Sequence, residues 1–171
     1  MESIGPPSLY ERLKQEAITR LFVSYEAVSP LNEEGVEQLR ELFILPGVLP
    51  VLIGAPALDE LQAALPLEGV LYAGRHGSEF HEPDEDPDRL ENHLRLNRTD
   101  PPALRRALTG WVLANRSPAD AFAVYIGCAA LDLPAMQWIE QCGGLAVFNG
   151  GDCFPTDRNF SSRMAAYPLT P

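Results

Sequence analysis

Two places in this 171-residue chain combine reactive side chains with a strand end able to present them. Ser24 and Glu26 lie two apart where the apolar run Leu21-Phe22-Val23-Ser24-Tyr25 ends. On an extended strand that spacing turns both side chains to one side, which suits a serine nucleophile with a carboxylate base. Cys128 follows Ala121-Phe122-Ala123-Val124-Tyr125-Ile126 and precedes a helical pattern, where a helix N-terminus lowers a thiol pKa and favours a nucleophilic or redox thiolate. A small buried residue is the competing reading of Cys128, and it is the more common fate of a lone cysteine. The sequence shows no third orienting group and no oxyanion donor for either candidate.

The elements that would position these residues follow from hydrophobic periodicity. Ser8 and Glu11 have capping-box spacing ahead of Leu9, Leu13 and Ala17, which predicts a first helix. Residues 21–25 form a buried strand up to Ser29-Pro30. Asn32 caps a helix with Glu33 and Glu34 in its first turn and Val36, Leu39 and Phe43 on one face. Residues 48–53 form a second strand, Leu58, Leu61 and Leu65 a helix face, and residues 69–73 a third strand. Asp100 caps a helix opened by Pro101 and carrying Leu104, Leu108 and Trp111. A fourth strand at 121–126, a helix at 132–141 with Met136 and Ile139, and a fifth strand at 144–148 complete the pattern. Alternation of this kind implies a three-layer α/β domain, a doubly wound, mostly parallel sheet of Rossmann-like form. Its ligand crevice lies beyond the carboxyl ends of the strands, where the strand order reverses.

Composition narrows the function classes. Thirteen Lys and Arg against 24 Asp and Glu give a net charge of −11, the wrong sign for a protein that binds a nucleic-acid backbone. No stretch is long and apolar enough to span a bilayer and no secretory leader is evident, so a cytoplasmic location and no membrane partner are expected. Cys128, Cys142 and Cys153 show no Cys-x-x-Cys spacing, which suggests neither a disulfide framework nor a thiolate metal site. Residues 79–91 hold seven carboxylates and one Arg, and with their repeated prolines they predict an exposed loop. The cationic side chains are twelve Arg and a single Lys, Lys14.

The strand-end segments resemble the haloacid-dehalogenase-like (HAD) phosphatases, and more narrowly the trehalose-6-phosphate phosphatases. Residues 21–31 resemble that family's Asp-x-Asp first motif, and Val51-Leu52-Ile53-Gly54-Ala55-Pro56 its Ser-Gly-Arg second motif. Gly69-Val70-Leu71-Tyr72-Ala73-Gly74-Arg75-His76-Gly77-Ser78-Glu79 is similar to its third-strand region, and Val124-Tyr125-Ile126-Gly127-Cys128-Ala129-Ala130-Leu131-Asp132 to its fourth motif. The resemblance implies a single HAD-like core over residues 1–171, with residues 79–100 an acidic loop where the family carries a cap.

Departures from the motifs bear directly on function. The resemblance puts Ser24 at the position of the attacking Asp, Glu26 at the acid/base position and Gly54 at the phosphate-binding hydroxyl. Cys128 and Ala129 stand at the paired carboxylates, and only Asp132 keeps a family acidic position. The family's third-motif lysine precedes the fourth strand, where this chain offers Arg105 or Arg106 instead. Magnesium needs carboxylates to draw it out of water, so no Mg²⁺ or other cofactor of the family type is expected. His76 and Glu79 preserve the His-Gly-x-Glu pattern. With Ser24, Glu26, Arg105 and Arg106 they are the ligand-binding candidates.

These readings predict a catalytically inactive HAD-like protein whose open crevice serves binding or interaction with a protein partner. The alternative is a metal-independent or weak hydrolase acting on a phosphorylated or acyl substrate through Ser24 and Glu26, or through Cys128. A further possibility is a homo-oligomer joined through residues 164–169.

Overall fold

The computed structural model describes residues 9–29, 33–83 and 100–148. Six strands form one sheet: β1 (Thr19–Ser24), β2 (Val48–Ile53), β3 (Leu71–Gly74), β4 (Glu79–His81), β5 (Phe122–Gly127) and β6 (Leu145–Phe148). Their order is β4-β3-β2-β1-β5-β6; all neighbours are parallel except β3 and β4. Strand order therefore reverses at β1, which pairs with β2 on one side and β5 on the other.

Helices cover both faces. On one, α1 (Leu9–Gln15), α3 (Glu33–Phe43) and α4 (Leu58–Ala64) pack Leu13, Leu39 and Leu61 against Leu21, Val23, Leu52 and Ile126. On the other, α5 (Pro101–Asn115) and α6 (Ala129–Gln141) pack Leu108, Val112, Met136 and Ile139 against Phe22, Val51, Ile53 and Tyr125. Successive residues of β1 thus point into opposite cores, which explains why central strands read as unbroken apolar runs. The α/β architecture expected from the sequence is the one observed.

Several local expectations change. The first strand ends at Ser24, and Tyr25–Val28 form a short helix, α2, closed by the bond from Ser29 N to Tyr25 O at 2.8 Å. Glu26 therefore lies on a helical turn, not on the strand with Ser24. Residues 79–81 are not loop. They pair antiparallel with Tyr72, Ala73 and Gly74, because Phe80 is apolar and buries against Trp111 with ring centroids 5.1 Å apart. A single inward-facing aromatic outweighed the surrounding charge.

The first helix stops at Gln15, leaving Ala17 exposed. Asp100 occupies the N-cap position of α5, but its side chain makes no capping bond. Helix α6 begins at Ala129, three residues before the expected start, because Asp132 holds its first turn. Ser8, Asn32, Cys153, residues 84–99 of the acidic segment and residues 164–169 lie outside the described residues. Among the described residues no helix is long and apolar enough to cross a membrane.

Candidate functional site

Residues at and after the carboxyl ends of β1, β3 and β5 converge on one side chain, Arg105. It projects from the second turn of α5 and has no solvent exposure. Arg105 Nη1 donates to Ser24 Oγ and to Asp132 Oδ1, both at 2.9 Å; Nη2 donates to Glu26 Oε1 at 2.6 Å and Nε to His76 Nδ1 at 3.1 Å. Four of the five N–H donors of the guanidinium are thereby used, two of them on carboxylates.

Each partner is fixed by its own element. Ser24 is the buried last residue of β1. Glu26 is held on α2 by a second bond, from Ala55 N to its Oε2 at 2.9 Å. Asp132 is fully buried: Oδ1 also accepts from Tyr125 Oη at 2.6 Å, and Oδ2 accepts from Cys128 N at 2.9 Å. The last bond reaches back to the N-cap residue of α6 in the manner of a capping box, so one carboxylate both starts a helix and neutralises the arginine.

His76 sits on a 3-10 turn, Arg75–Gly77, in which Arg75 and His76 have φ of 47° and 61°. Consecutive non-glycine residues in the left-handed region are costly and mark a locally over-determined backbone. Here the bonds from Arg75 N to Pro56 O and from His76 N to Gly54 O, both 2.8 Å, impose the turn. Because Arg105 Nε can only donate, His76 Nδ1 accepts and its proton resides on Nε2.

Electrostatics follow this geometry. Burial alone would raise the Glu26 pKa, but the charge and hydrogen bond of Arg105 and the Ala55 N–H bring it below the ordinary carboxylate value. Burial disfavours the Arg105 cation, yet Asp132, Tyr125 and Glu26 hold it more firmly protonated than an exposed arginine. His76 is pushed down by burial and by Arg105, against the pull of Glu26 and Asp132, and is neutral near pH 7. Burial, then Asp132, raise the Tyr125 phenol well above its usual value. The centre is a self-contained pairing of one cation with two carboxylates.

Of the candidates named from sequence, Ser24, Glu26, His76, Arg105 and Asp132 come together. Ser24 and Glu26 are each bonded to Arg105, and no bond joins them as a nucleophile and its base. Cys128 is buried at the N-cap position of α6, and Ala129 opens that helix. Gly54 lies at the end of β2, where an added Cβ would stand 2.8 Å from Tyr25 Cβ and 3.0 Å from Leu61 Cδ2, so the position has no room for a hydroxyl-bearing side chain. Arg106 points elsewhere, its guanidinium 4.3 Å from the centroid of the Trp138 ring. Glu79 Oε1 lies 2.7 Å from Arg75 Nε without a hydrogen-bond alignment, away from the Arg105 centre. Tyr125 was not foreseen as a site residue; its hydroxyl on a strand otherwise lined with apolar side chains was the available signal.

The residues present do not fit a magnesium ion. The two carboxylates that would ligate it already bind a guanidinium, whose charge opposes a second cation in the same place. Among the described residues no three His, Cys, Asp or Glu side chains group as a metal site.

The sheet order and its two helical layers define a doubly wound, mostly parallel α/β fold of Rossmann type. Neither a protein-family model nor a curated protein matches the sequence. Among solved structures the chain is similar to two crystal forms of Aspergillus fumigatus trehalose-6-phosphate phosphatase. Crystal form 3 has a TM-score of 0.57 at 12% identity and covers 96% of this chain and 94% of that one. Crystal form 2 has a TM-score of 0.53 at 13% identity, with coverage of 89% and 92%. At this identity the likeness is one of fold.

Proposed function

We propose that this chain is a catalytically inactive HAD-like domain with a binding or protein-interaction role. The observation that carries the reading is Arg105. A phosphoryl-transfer site of this class needs a free nucleophilic carboxylate, a metal-binding pair and unspent cationic donors for the transferred oxygens. Ser24 replaces a carboxylate with a buried hydroxyl that accepts from Arg105. Glu26 and Asp132 spend their charge on the same guanidinium. The arginine spends four of its five donors on these three residues and His76. Nothing in this arrangement is left to bind a transition state more tightly than the ground state, and that difference is what accelerates a reaction.

The same bonds weigh against the hydrolase alternative. A serine nucleophile needs a base within hydrogen-bond reach, and its Oγ here contacts a group that cannot accept a proton. A binding role needs neither. Hydrolysis of a generic phosphomonoester, with and without Mg²⁺, should be indistinguishable from the buffer blank. Metal-dependent turnover would overturn the reading, and metal-independent turnover lost in Ser24→Ala or Cys128→Ala would establish the hydrolase instead.

A further inference from the structure

A second concavity lies at the opposite end of the sheet, where the parallel strands begin. It has a volume of about 460 Å³, within the size range of small-molecule sites, and its lining includes Arg20, Leu49, Pro50, Gly69, Leu71, Glu82 and Arg116. Arg20 is the second residue of β1, aligned with Leu49 of β2. Glu82 follows β4, whose antiparallel course returns the chain to this end.

Arg20 is unlike the arginine at the other end. It is 7% exposed, yet among the described residues its hydrogen-bond partners are neutral oxygens: Ser117 Oγ at 2.9 Å, Leu49 O at 3.4 Å and Arg116 O. These engage three of the five N–H donors a guanidinium carries. The carboxylate of the cleft, Glu82, is bonded to Arg116 Nε. Arg116 is further oriented by stacking over Trp111, 4.9 Å from its ring centroid. Among the described residues the cleft sets two guanidinium groups, Arg20 and Arg116, against one carboxylate, Glu82. Buried charges are ordinarily paired. Burial lowers the Arg20 pKa to about 10, with Glu82 only partly restoring it.

We infer that this cleft is a binding site for a small oxyanion-bearing molecule, a phosphate or carboxylate on a compact apolar body. The oxyanion pairs with Arg20 at the rim shared with Arg116, and Leu49, Pro50 and Leu71 receive the apolar part. Paired guanidinium groups suit either headgroup because each can present two parallel N–H donors. The site is separate from the Arg105 centre and stands whether or not that centre is inactive.

Amide NMR titrations of the full chain with phenyl phosphate, benzoate and inorganic phosphate test it. Phenyl phosphate or benzoate should give saturable shifts at Leu49, Gly69, Leu71 and Arg116 and none at Ser24, Ala55 or Cys128. The tighter of the two names the headgroup, and inorganic phosphate should bind more weakly than phenyl phosphate. Arg20→Gln should weaken binding about tenfold or more. Glu82→Gln, at a residue outside the buried core, should tighten it about threefold by removing the opposing charge, a direction that mere damage to the fold would not produce. Absence of saturable shifts in both wild type and Glu82→Gln, shifts centred on Ser24 and Cys128, or weaker binding in Glu82→Gln would each overturn the inference.

Discussion

Replacing Arg105 with Met should destabilise the protein by about 3–5 kcal/mol, the range for removing one partner of a buried ion pair. The cost arises less from lost attraction than from what remains. Asp132 is fully buried, and without the guanidinium its charge faces only Tyr125 Oη and Cys128 N. Glu26 is 23% exposed at its side chain and can turn towards water, so most of the loss belongs to Asp132. Urea denaturation should show a lower midpoint with an unchanged slope. Arg105→Lys should fall between the two, because an ammonium keeps the charge but cannot bridge Ser24, Glu26, Asp132 and His76 at once. A loss under about 1 kcal/mol for Arg105→Met, the worth of a surface pair, would mean that the pairing is ornamental.

The same variant has a pH signature. Glu26 has a depressed pKa in the folded state, so its contribution is present above its unfolded value and is lost as pH falls through the folded one. His76 is also depressed, so protonation below its unfolded value favours the unfolded chain. Both make the wild type less stable as the solution becomes acidic, His76 first and Glu26 below it. Arg105→Met removes a cause common to both depressions and should flatten that decline.

Gly74→Ala should cost about 3 kcal/mol, at the upper end of overpacking penalties. Gly74 ends β3 in an ordinary extended conformation, so backbone freedom is not the reason for glycine there. Space is the reason. An added Cβ would stand 2.5 Å from Leu58 N, 2.8 Å from Leu58 Cα and 2.9 Å from Ala57 C, all backbone atoms at the start of α4. No rotamer change relieves such a collision, so β3 and α4 must separate. The turn carrying His76 follows Gly74 directly, and the His76 Nδ1 contact with Arg105 should weaken with it. Urea denaturation measures the first effect, and imidazole ¹⁵N shifts, which report the tautomer, measure the second. An unchanged denaturation midpoint would contradict the packing argument.

The fold was legible where the chain obeys one period at a time. Central strands buried on both faces, such as Val48–Ile53, announce themselves as apolar runs, and helices with one apolar face, such as that of Leu104 and Leu108, are equally plain. What was hidden depended on tertiary context. The pairing of Glu79–His81 rests on one inward aromatic inside a charged stretch. The helical turn at Tyr25–Val28 breaks the alternation that had placed Glu26 beside Ser24 on a strand.

The site was legible as an inventory but not as a circuit. Ser24, Glu26, His76, Arg105 and Asp132 could each be named, yet sequence offered Arg105 and Arg106 as equals. Only the rotation of α5 on the sheet decides between them, sending one guanidinium into the strand ends and laying the other on Trp138. Arg20 carried a signal of its own, a lone charge among Leu21, Phe22 and Val23 in a buried strand. Its meaning depends on Glu82 and Arg116, which are distant in sequence.

A fixed guanidinium, that of Arg105, holds the position among Glu26, Asp132 and Ser24 where a cation would otherwise bind. Calorimetric titration of Mg²⁺ into the wild-type protein tests this most directly. No saturable heat is expected at millimolar metal. Saturable one-to-one binding that disappears in Glu26→Gln or Asp132→Asn would contradict it.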